Sequence, residues 1–255
     1  MEKSTTIGLI LGFVSVFLGM ALKGASLTFL INPAAFLIIF VGTAATIFIA
    51  FPMEEIKKLP ALFRIIMFGQ KLESETEIIS QFTEFAGSAR KNGLLSLESR
   101  MDEIENSFTR KGLSLVIDGR DPEYVQNILL EDIGNMEERH LAGAQIFTQA
   151  GTYAPTLGVL GAVIGLVAAL GNLNDIDALG HSIAAAFIAT LLGIFSGYVL
   201  WHPFANKLKR YSKQEVSLKR MIFEGIISLQ AGDSASAVEE KLKVFLPQKS
   251  RTEAE

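Results

Sequence analysis

Few residues in this sequence have the type and the spacing of a catalytic or metal site. The three histidines, His140, His181 and His202, are scattered along the chain without the spacing of metal ligands. The chain has no cysteine, so neither a disulfide nor a thiolate metal site can form. No nucleophile stands beside a candidate base in a recognisable pattern. The sequence therefore predicts no enzymatic activity, no cofactor and no metal ion.

Two prolines and one threonine in apolar stretches are the positions that could serve ion passage or movement. Pro155 removes a backbone hydrogen bond from its helix and leaves the carbonyl of Gly151 without its usual donor. In a membrane that carbonyl needs another partner, so Pro155 is either a hinge or a tolerated kink. Pro203 follows Trp201 where the last apolar stretch ends. The hydroxyl of Thr190 could bind water or an ion, or donate to the carbonyl four residues before it.

Small side chains line one face of the helix around Pro155 and one face of the next helix. They recur at spacings of three and four residues, which place them on a single helical face. They are Gly151, Pro155, Gly158, Ala162, Gly165 and Ala169 on the first helix, and Ala186, Thr190, Gly193 and Gly197 on the second. Such faces let helix backbones approach closely in a membrane. Two interpretations stay open: packing between helices of this chain, or packing around a helix supplied by another chain.

These faces lie in two of four long uncharged stretches. The chain has 255 residues, of which 49% are hydrophobic and 20% charged, and its mean hydropathy is +0.36. Because a helix needs about 20 residues to cross a bilayer, we predict four spans, numbered in chain order. They cover residues 6–22, 34–51, 154–173 and 182–201. Lys23 directly after span one favours an uncleaved anchor over a signal peptide.

The four spans contain no Asp, Glu, Lys or Arg. A protein that relays protons across a bilayer normally keeps an ionisable group inside it. The chain therefore cannot relay protons alone, and any ion that crosses here needs a carboxylate from a partner. The same absence argues against a self-contained transporter, while a passive structural membrane protein remains an alternative.

The basic residues outside the spans predict the orientation. The segment 53–140 and the segment that begins at Lys207 are rich in Lys and Arg. The connection after span one has only Lys23, and the connection after span three has no basic residue. Because basic flanks stay in the cytoplasm, we predict that both termini and the large central segment are cytoplasmic.

The predicted fold class is all-α: a polytopic membrane protein with four transmembrane helices and a helical cytoplasmic domain. We assign residues 1–52 to transmembrane helices 1 and 2, 53–146 to the cytoplasmic domain, 147–206 to transmembrane helices 3 and 4, and 207–255 to a cytoplasmic tail. The domain should contain an apolar helical stripe formed by Ile78, Phe82, Phe85 and Ala89. Helices should begin at Asn32-Pro33 and at Asp121-Pro122, where a capping side chain precedes a proline.

Three segments resemble flagellar stator subunits of the MotA type. The segment "AFIATLLGIFSGYVLWHP", residues 186–203, is similar to the signature of that family. "YAPTLGVLGAVIGL" resembles the family's third span, and "ARKNGLLSLE" resembles its cytoplasmic torque segment. The likeness covers essentially the whole chain and looks closest to the MotA proteins of Gram-positive bacteria. The TolQ and ExbB proteins of the same superfamily, which usually have three spans, remain an alternative.

The resemblance implies an assembly in the bacterial cytoplasmic membrane. Copies of the chain, a pentamer in this family, would ring a dimer of MotB, a one-span subunit anchored to peptidoglycan. The essential Asp of MotB would be the carboxylate that this chain lacks, and the small faces of spans three and four would line the ring. Protonation neutralises that Asp and lowers the cost of its burial, so the ion gradient would drive stepwise rotation of the ring.

The resemblance also implies roles for residues of the membrane part. Pro155 and Pro203 match the family prolines that couple ion passage to movement, and Thr190 matches the threonine near the partner's Asp. Ala162 stands where sodium-driven relatives tend to carry a threonine. Because alanine offers no oxygen ligand to a hard cation, we predict coupling to protons.

The resemblance implies that charged residues transmit torque to the rotor. Arg90 and Glu98 match the rotor-facing Arg and Glu of the family, and Lys91 is a further contributor. They would contact the rotor switch protein FliG in a weak, salt-sensitive interaction. Arg90 and Glu98 share a helical face only if the helix continues through Gly93. The bilayer completes the expected partners, and we expect no nucleic acid among them.

Overall fold

In the computed structural model, residues 2–171 and 173–248 are described, and all of their regular structure is helical. This confirms the predicted all-α class. The chain divides into two compact units. Unit 1 comprises Met1–Gln70 and His140–Arg210, and unit 2 comprises Lys71–Arg139 and Tyr211–Glu255.

Four helical segments of unit 1 are long and apolar enough to cross a membrane, in agreement with the four predicted spans. Span one is α1, Lys3–Leu22, and a short 3₁₀ turn, Leu27–Leu30, follows it. Span two is built from α2, Pro33–Phe36, a π-helical turn, Leu37–Val41, and α3, Gly42–Ala50. The side chain of Asn32 accepts a hydrogen bond from the Ala35 N–H at 3.1 Å, which confirms the predicted helix start.

Two short helices after span two belong to unit 1. They are α4, Met53–Ile56, and α5, Leu59–Phe68, and the sequence had placed both in the cytoplasmic domain 53–146. The reason is apolar packing, because Ile66 of α5 is fully buried against Phe147 and Phe204. Residues 53–70 therefore pack with the apolar helices of unit 1.

Spans three and four lie in a long helical hairpin. Span three is the C-terminal part of α8, Pro122–Leu170, which begins where Asp121 accepts a hydrogen bond from the Glu123 N–H at 2.9 Å. Span four is α9, Ile176–Phe195, and it continues through a π-helical segment, Ser196–Trp201, into α10, His202–Gln230. The predicted start of α8 is thereby confirmed.

Unit 2 is a helical bundle with its own apolar core. It contains α6, Glu75–Asn92, a 3₁₀ segment, Leu94–Glu103, α7, Ser107–Ile117, the first part of α8, the later part of α10, and α11, Ala235–Lys243. The predicted stripe faces this core: Ile78, Phe82 and Phe85 are buried, and Ala89 packs against them. Burial of this stripe is what holds α6 on the unit.

One ion cluster fastens α7, α8 and α10 together in unit 2. The carboxylate of Asp132 lies 2.6 Å from the Lys111 ammonium and 3.7 Å from that of Lys219. Partial burial raises the pKa of Asp132, but hydrogen bonding and the charges of both lysines lower it more. Its pKa therefore lies below the ordinary value.

Candidate functional site

Spans three and four meet in unit 1 along their glycine faces. A Cβ atom placed on Gly158 would lie 2.9 Å from the Ala189 oxygen and 3.0 Å from the Gly193 Cα. A Cβ on Gly165 would lie 3.0 Å from the Ala186 Cβ, and Ala186 itself is 3% exposed. The two helices run antiparallel, since the contact moves seven residues up one helix as it moves seven down the other. We call this contact the glycine hairpin.

The glycine hairpin bears on the two interpretations that the sequence left open. Gly158, Gly165 and Gly193 touch the neighbouring span of their own chain, so packing between the chain's own helices describes them. A glycine whose Cβ position is already filled by a neighbour leaves no room there for a third helix. The expectation that these faces also line a helix from another chain stays a prediction. Such a helix would have to approach the rim of the hairpin instead.

Pro155 lies against Gly197 inside the hairpin. A Cβ on Gly197 would lie 2.7 Å from the Pro155 Cγ and 2.8 Å from the carbonyl oxygen of Gly151. That oxygen is the one that the proline deprives of its usual backbone donor. A glycine Cα–H group pointing at a carbonyl is a weak hydrogen-bond donor, so Gly197 covers this oxygen.

The helix opposite Pro155 is also irregular. The π-helical segment Ser196–Trp201 contains Gly197, and the buried hydroxyl of Ser196 donates to the Gly193 carbonyl at 3.1 Å. A π-helical turn has a wider hydrogen-bond ring than an α-helix and is frequent at functional sites. Pro155 in span three thus faces the π-helical turn in span four. The two places where the backbone bends most easily therefore lie at the same level of the hairpin.

Three predicted ion-pathway residues lie at the rim of the hairpin. Pro155, Ala162 and Thr190 are half-buried, so each keeps part of its surface outside the contact. Thr190 stands opposite Gly158, whose Cβ position is 3.4 Å from the Thr190 Cα. Its hydroxyl donates to the Ala186 carbonyl at 3.4 Å, a long bond that a better acceptor can replace. Pro203, the fourth, is exposed.

Two further residues of the predicted packing face, Ala169 and Gly151, are also buried. Ala169 is 3% exposed, and a Cβ on Gly151 would lie 2.7 Å from the ring of His202. His202 is a contact that the sequence did not predict, since nothing in its spacing marks it as a neighbour of Gly151.

Sequence reasoning also missed a polar cluster at the beginning of α1. Lys207 forms an ion pair with Glu2 and a hydrogen bond with Thr5, and the Thr5 hydroxyl is also 3.1 Å from the Ile66 carbonyl. The sequence feature that could have predicted this cluster is the pair of opposite charges, Glu2 and Lys207, each at the end of an apolar stretch.

The predicted rotor contacts lie in unit 2 at the end of α6. Arg90 and Lys91 occupy its last turn, and Gly93, with φ of +81°, ends the helix. Glu98 belongs to the following 3₁₀ segment, so the condition for sharing one helical face with Arg90 is not met. The Ser88 and Ser96 hydroxyls lie 3.4 Å apart and keep the two segments side by side.

The charges of the predicted rotor contacts are available to a partner. Arg90, Lys91 and Glu98 are exposed, and none of them has an ion pair within residues 2–171 and 173–248. By contrast Arg100 is engaged inside the unit, with its guanidinium 2.9 Å from Glu84 and 3.2 Å from Glu103. Arg100 therefore has a structural role within unit 2, while the charges of Arg90, Lys91 and Glu98 remain accessible to a partner.

The four uncharged spans, the glycine hairpin and the helical second unit define a polytopic membrane subunit. Residues 100–221 match the MotA/TolQ/ExbB proton channel family, and residues 6–93 match the motility protein A N-terminal family. Motility protein A of Bacillus subtilis strain 168 is 54% identical over 251 residues, which cover 98% of this chain and 93% of that protein.

Comparison with solved structures also finds similar chains in flagellar stator complexes. A chain of the flagellar MotAB stator complex from Bacillus subtilis superposes with a TM-score of 0.94 at 53% identity, over 99% of both chains. A chain of C. jejuni MotAB superposes with a TM-score of 0.92 at 32% identity, over 97% of both chains. The chain belongs to the MotA/TolQ/ExbB proton channel family, and it is a stator subunit of the flagellar motor.

Proposed function

We propose that this stator subunit forms a ring around a MotB-type partner and conducts protons only together with it. The observation that supports this most strongly is that this member of a proton channel family has no Asp, Glu, Lys or Arg in residues 6–22, 34–51, 154–173 and 182–201. A partner helix supplies the missing carboxylate, which takes a proton on one side of the membrane and releases it on the other.

The rim of the glycine hairpin is the place where this carboxylate docks. Thr190 and Ala162 lie near the same level, since Gly161, beside Ala162, has its Cβ position 3.0 Å from the Cβ of Ala189. The Thr190 hydroxyl can leave the Ala186 carbonyl and donate to an ionised carboxylate, which is a stronger acceptor. When the carboxyl is protonated, the apolar rim accepts it at lower cost.

Deformation of the hairpin couples this protonation to movement. Pro155 removes one backbone hydrogen bond and the π-helical turn of span four interrupts the α-helical pattern, and helices bend at both kinds of feature. Pro203, exposed in the first turn of α10 directly after the π-helical segment, transmits the bend into α10. These roles rest on the resemblance and on the geometry around Gly197.

The assembly and its orientation follow the same proposal. Both termini and unit 2 face the cytoplasm of the bacterial inner membrane, copies of the chain form a pentamer, and the partner is anchored to peptidoglycan. Arg90, Lys91 and Glu98 contact the rotor protein FliG. Their exposure, and the absence of an ion pair to any of them among the described residues, support a transient, salt-sensitive contact.

A swimming assay tests the proposal. A strain that lacks this gene is complemented with the wild type, with Pro155→Leu, and with the double variant Arg90→Ala and Glu98→Ala. Wild type should restore swimming, and both variants should reach the membrane at normal levels yet swim poorly. Arg100→Ala serves as the control, because Arg100 is engaged within unit 2 and should affect the stability of that unit rather than rotor contact.

Full swimming by both variants would remove the functional roles assigned to these positions. Swimming speed of the wild type in sodium-free medium tests the prediction of proton coupling that rests on Ala162. Unchanged speed supports it, and loss of swimming that sodium restores contradicts it.

A further inference from the structure

A cavity of about 210 Å³ lies in unit 1 beside the later part of span two. Span two, α5, α8 and Trp201 form its walls, and most lining side chains are aliphatic or aromatic, among them Ile47, Phe63 and Phe147. No charged residue lines it. Trp201 is the last residue of the π-helical segment, but the lining includes no glycine of the hairpin and none of the predicted rotor contacts, so the proposed function gives the cavity no role.

Two buried polar groups in this cavity have no hydrogen-bond partner within the described residues. The first is the hydroxyl of Thr43, a residue that is only 4% exposed, and the second is the indole N–H of Trp201. Both residues line the cavity. A buried polar group without a partner costs free energy, so such groups in native proteins call for an explanation.

Thr43 differs from the other threonines of unit 1 that lie within helices. Thr148, Thr152 and Thr190 each donate to the carbonyl four residues before them. Thr43 lies two residues after the π-helical turn Leu37–Val41, and its hydroxyl makes no such bond. Since helical threonines normally satisfy their hydroxyl in this way, the Thr43 hydroxyl is left for an acceptor in the cavity.

The mouth of the cavity lies on the apolar surface of span two. Ala44 and Phe48 line the cavity and are also exposed, Phe48 by 56%. The molecules beside such a surface in a bilayer are lipids. The aliphatic and aromatic walls suit an acyl chain, and two donors without an acceptor suit a carbonyl oxygen. The absence of a charged lining residue disfavours a phosphate headgroup.

We propose that this cavity binds part of an acyl chain of a membrane lipid, with Thr43 and Trp201 donating hydrogen bonds to its ester carbonyl. The bound chain fills the space between span two, α5 and α8. It thereby ties the short helix α5 to the membrane spans and satisfies both buried donors.

The single tryptophan of the chain is a direct reporter for this site. The full chain, with its partner subunit, is reconstituted in phosphatidylcholine vesicles whose acyl chains carry bromine, which quenches indole fluorescence on contact. Tryptophans of the partner are replaced by phenylalanine. Ala44→Leu narrows the mouth, and Ala45→Leu adds the same volume at the neighbouring exposed position, which does not line the cavity.

We expect strong quenching of Trp201 in the unsubstituted chain and in Ala45→Leu, and at least twofold weaker quenching in Ala44→Leu. Equal quenching in all three would overturn the proposal, because Trp201 would then meet lipid only outside the cavity. Absence of quenching in the unsubstituted chain would also overturn it, since water or a second copy of the chain would then fill the space.

A second variant tests the hydrogen bonds without narrowing the cavity. Thr43→Val keeps the shape of the side chain and removes the hydroxyl. Brominated ester lipids should occupy the site about two- to tenfold better than brominated ether analogues, as the loss of a hydrogen bond predicts. The variant should reduce this preference. Equal binding of ester and ether lipids by the unsubstituted chain would contradict the assignment of a carbonyl acceptor.

Discussion

The closest approach in the glycine hairpin makes Gly197→Ala the most informative single substitution. The added methyl group would lie 2.7 Å from the Pro155 Cγ, 2.9 Å from the Pro155 Cδ and 2.8 Å from the Gly151 oxygen. All three atoms belong to a proline ring or to the backbone, so no flexible side chain can turn away. The two spans must separate to make room.

The size of the effect follows from these distances. An ordinary van der Waals contact begins at 3.4 Å, so the shortest of these distances requires the helices to move apart by about 0.7 Å at this level. Overpacking of this kind costs about 1–3 kcal/mol. For a chain of this size, about 2–4 °C of melting temperature corresponds to each kcal/mol, so Tm should fall by about 2–12 °C.

The assay compares thermal unfolding of the purified stator complex, in one lipid mixture, with swimming speed in the complemented strain. Gly180→Ala is the matched control, because it lies in α9, the helix that leads into the π-helical segment of Gly197, and has open space where the methyl group would go. The control should be neutral or slightly stabilising, since alanine favours a helix over glycine by about 1 kcal/mol. Gly197→Ala should lower both Tm and swimming speed.

An equal Tm for Gly197→Ala and Gly180→Ala would refute the tight contact between Pro155 and Gly197. A lower Tm with normal swimming would keep the contact but remove its part in the coupling of ion passage to movement.

Two further predictions concern unit 2. Gly93→Ala should destabilise the unit by about 1–3 kcal/mol in thermal melts, because φ of +81° with ψ of 162° is a region that only glycine adopts freely. The control Gly87→Ala should not destabilise it, because the added methyl group meets open space beside α6. Equal melting temperatures for the two variants would contradict the backbone argument. Since the pKa of Asp132 is lowered in the folded state, its stabilising contribution is present above the ordinary value of 3.8 and is lost as pH falls below it. The free energy of unfolding is measured in urea at pH 7 and at about pH 3. It should change less between these pH values in Asp132→Asn than in the wild type or in the exposed control Glu131→Gln. The same pH dependence in all three proteins would contradict a stabilising role of the ion cluster.

Elements with a local chemical signal could be predicted from the sequence. The absence of charge marked the four spans, and a capping side chain before proline marked the helix starts at Pro33 and Pro122. These signals act within a few residues, so tertiary contacts do not alter them. The glycine ending of α6 belongs to the same group, since Gly93 was recognised as a possible break.

Features that depend on distant contacts could not be predicted. The π-helical turns Leu37–Val41 and Ser196–Trp201 lie in apolar sequence like that of the neighbouring α-helical turns. The spacing of small residues showed that spans three and four have contact faces, but the same spacing serves a helix of the same chain or of another. Likewise the burial of Ile66, which assigns α5 to unit 1, depends on Phe147, about 80 residues away in the sequence.

The most direct test of the account is proton flux into lipid vesicles. The chain is reconstituted alone, with its one-span partner, and with a partner whose membrane Asp is replaced by Asn, under an imposed membrane potential. We predict flux only with the unsubstituted partner, because residues 6–22, 34–51, 154–173 and 182–201 of this chain contain no Asp, Glu, Lys, Arg or His. Equal flux from the chain alone would contradict the claim that the titrating carboxylate comes from a second polypeptide.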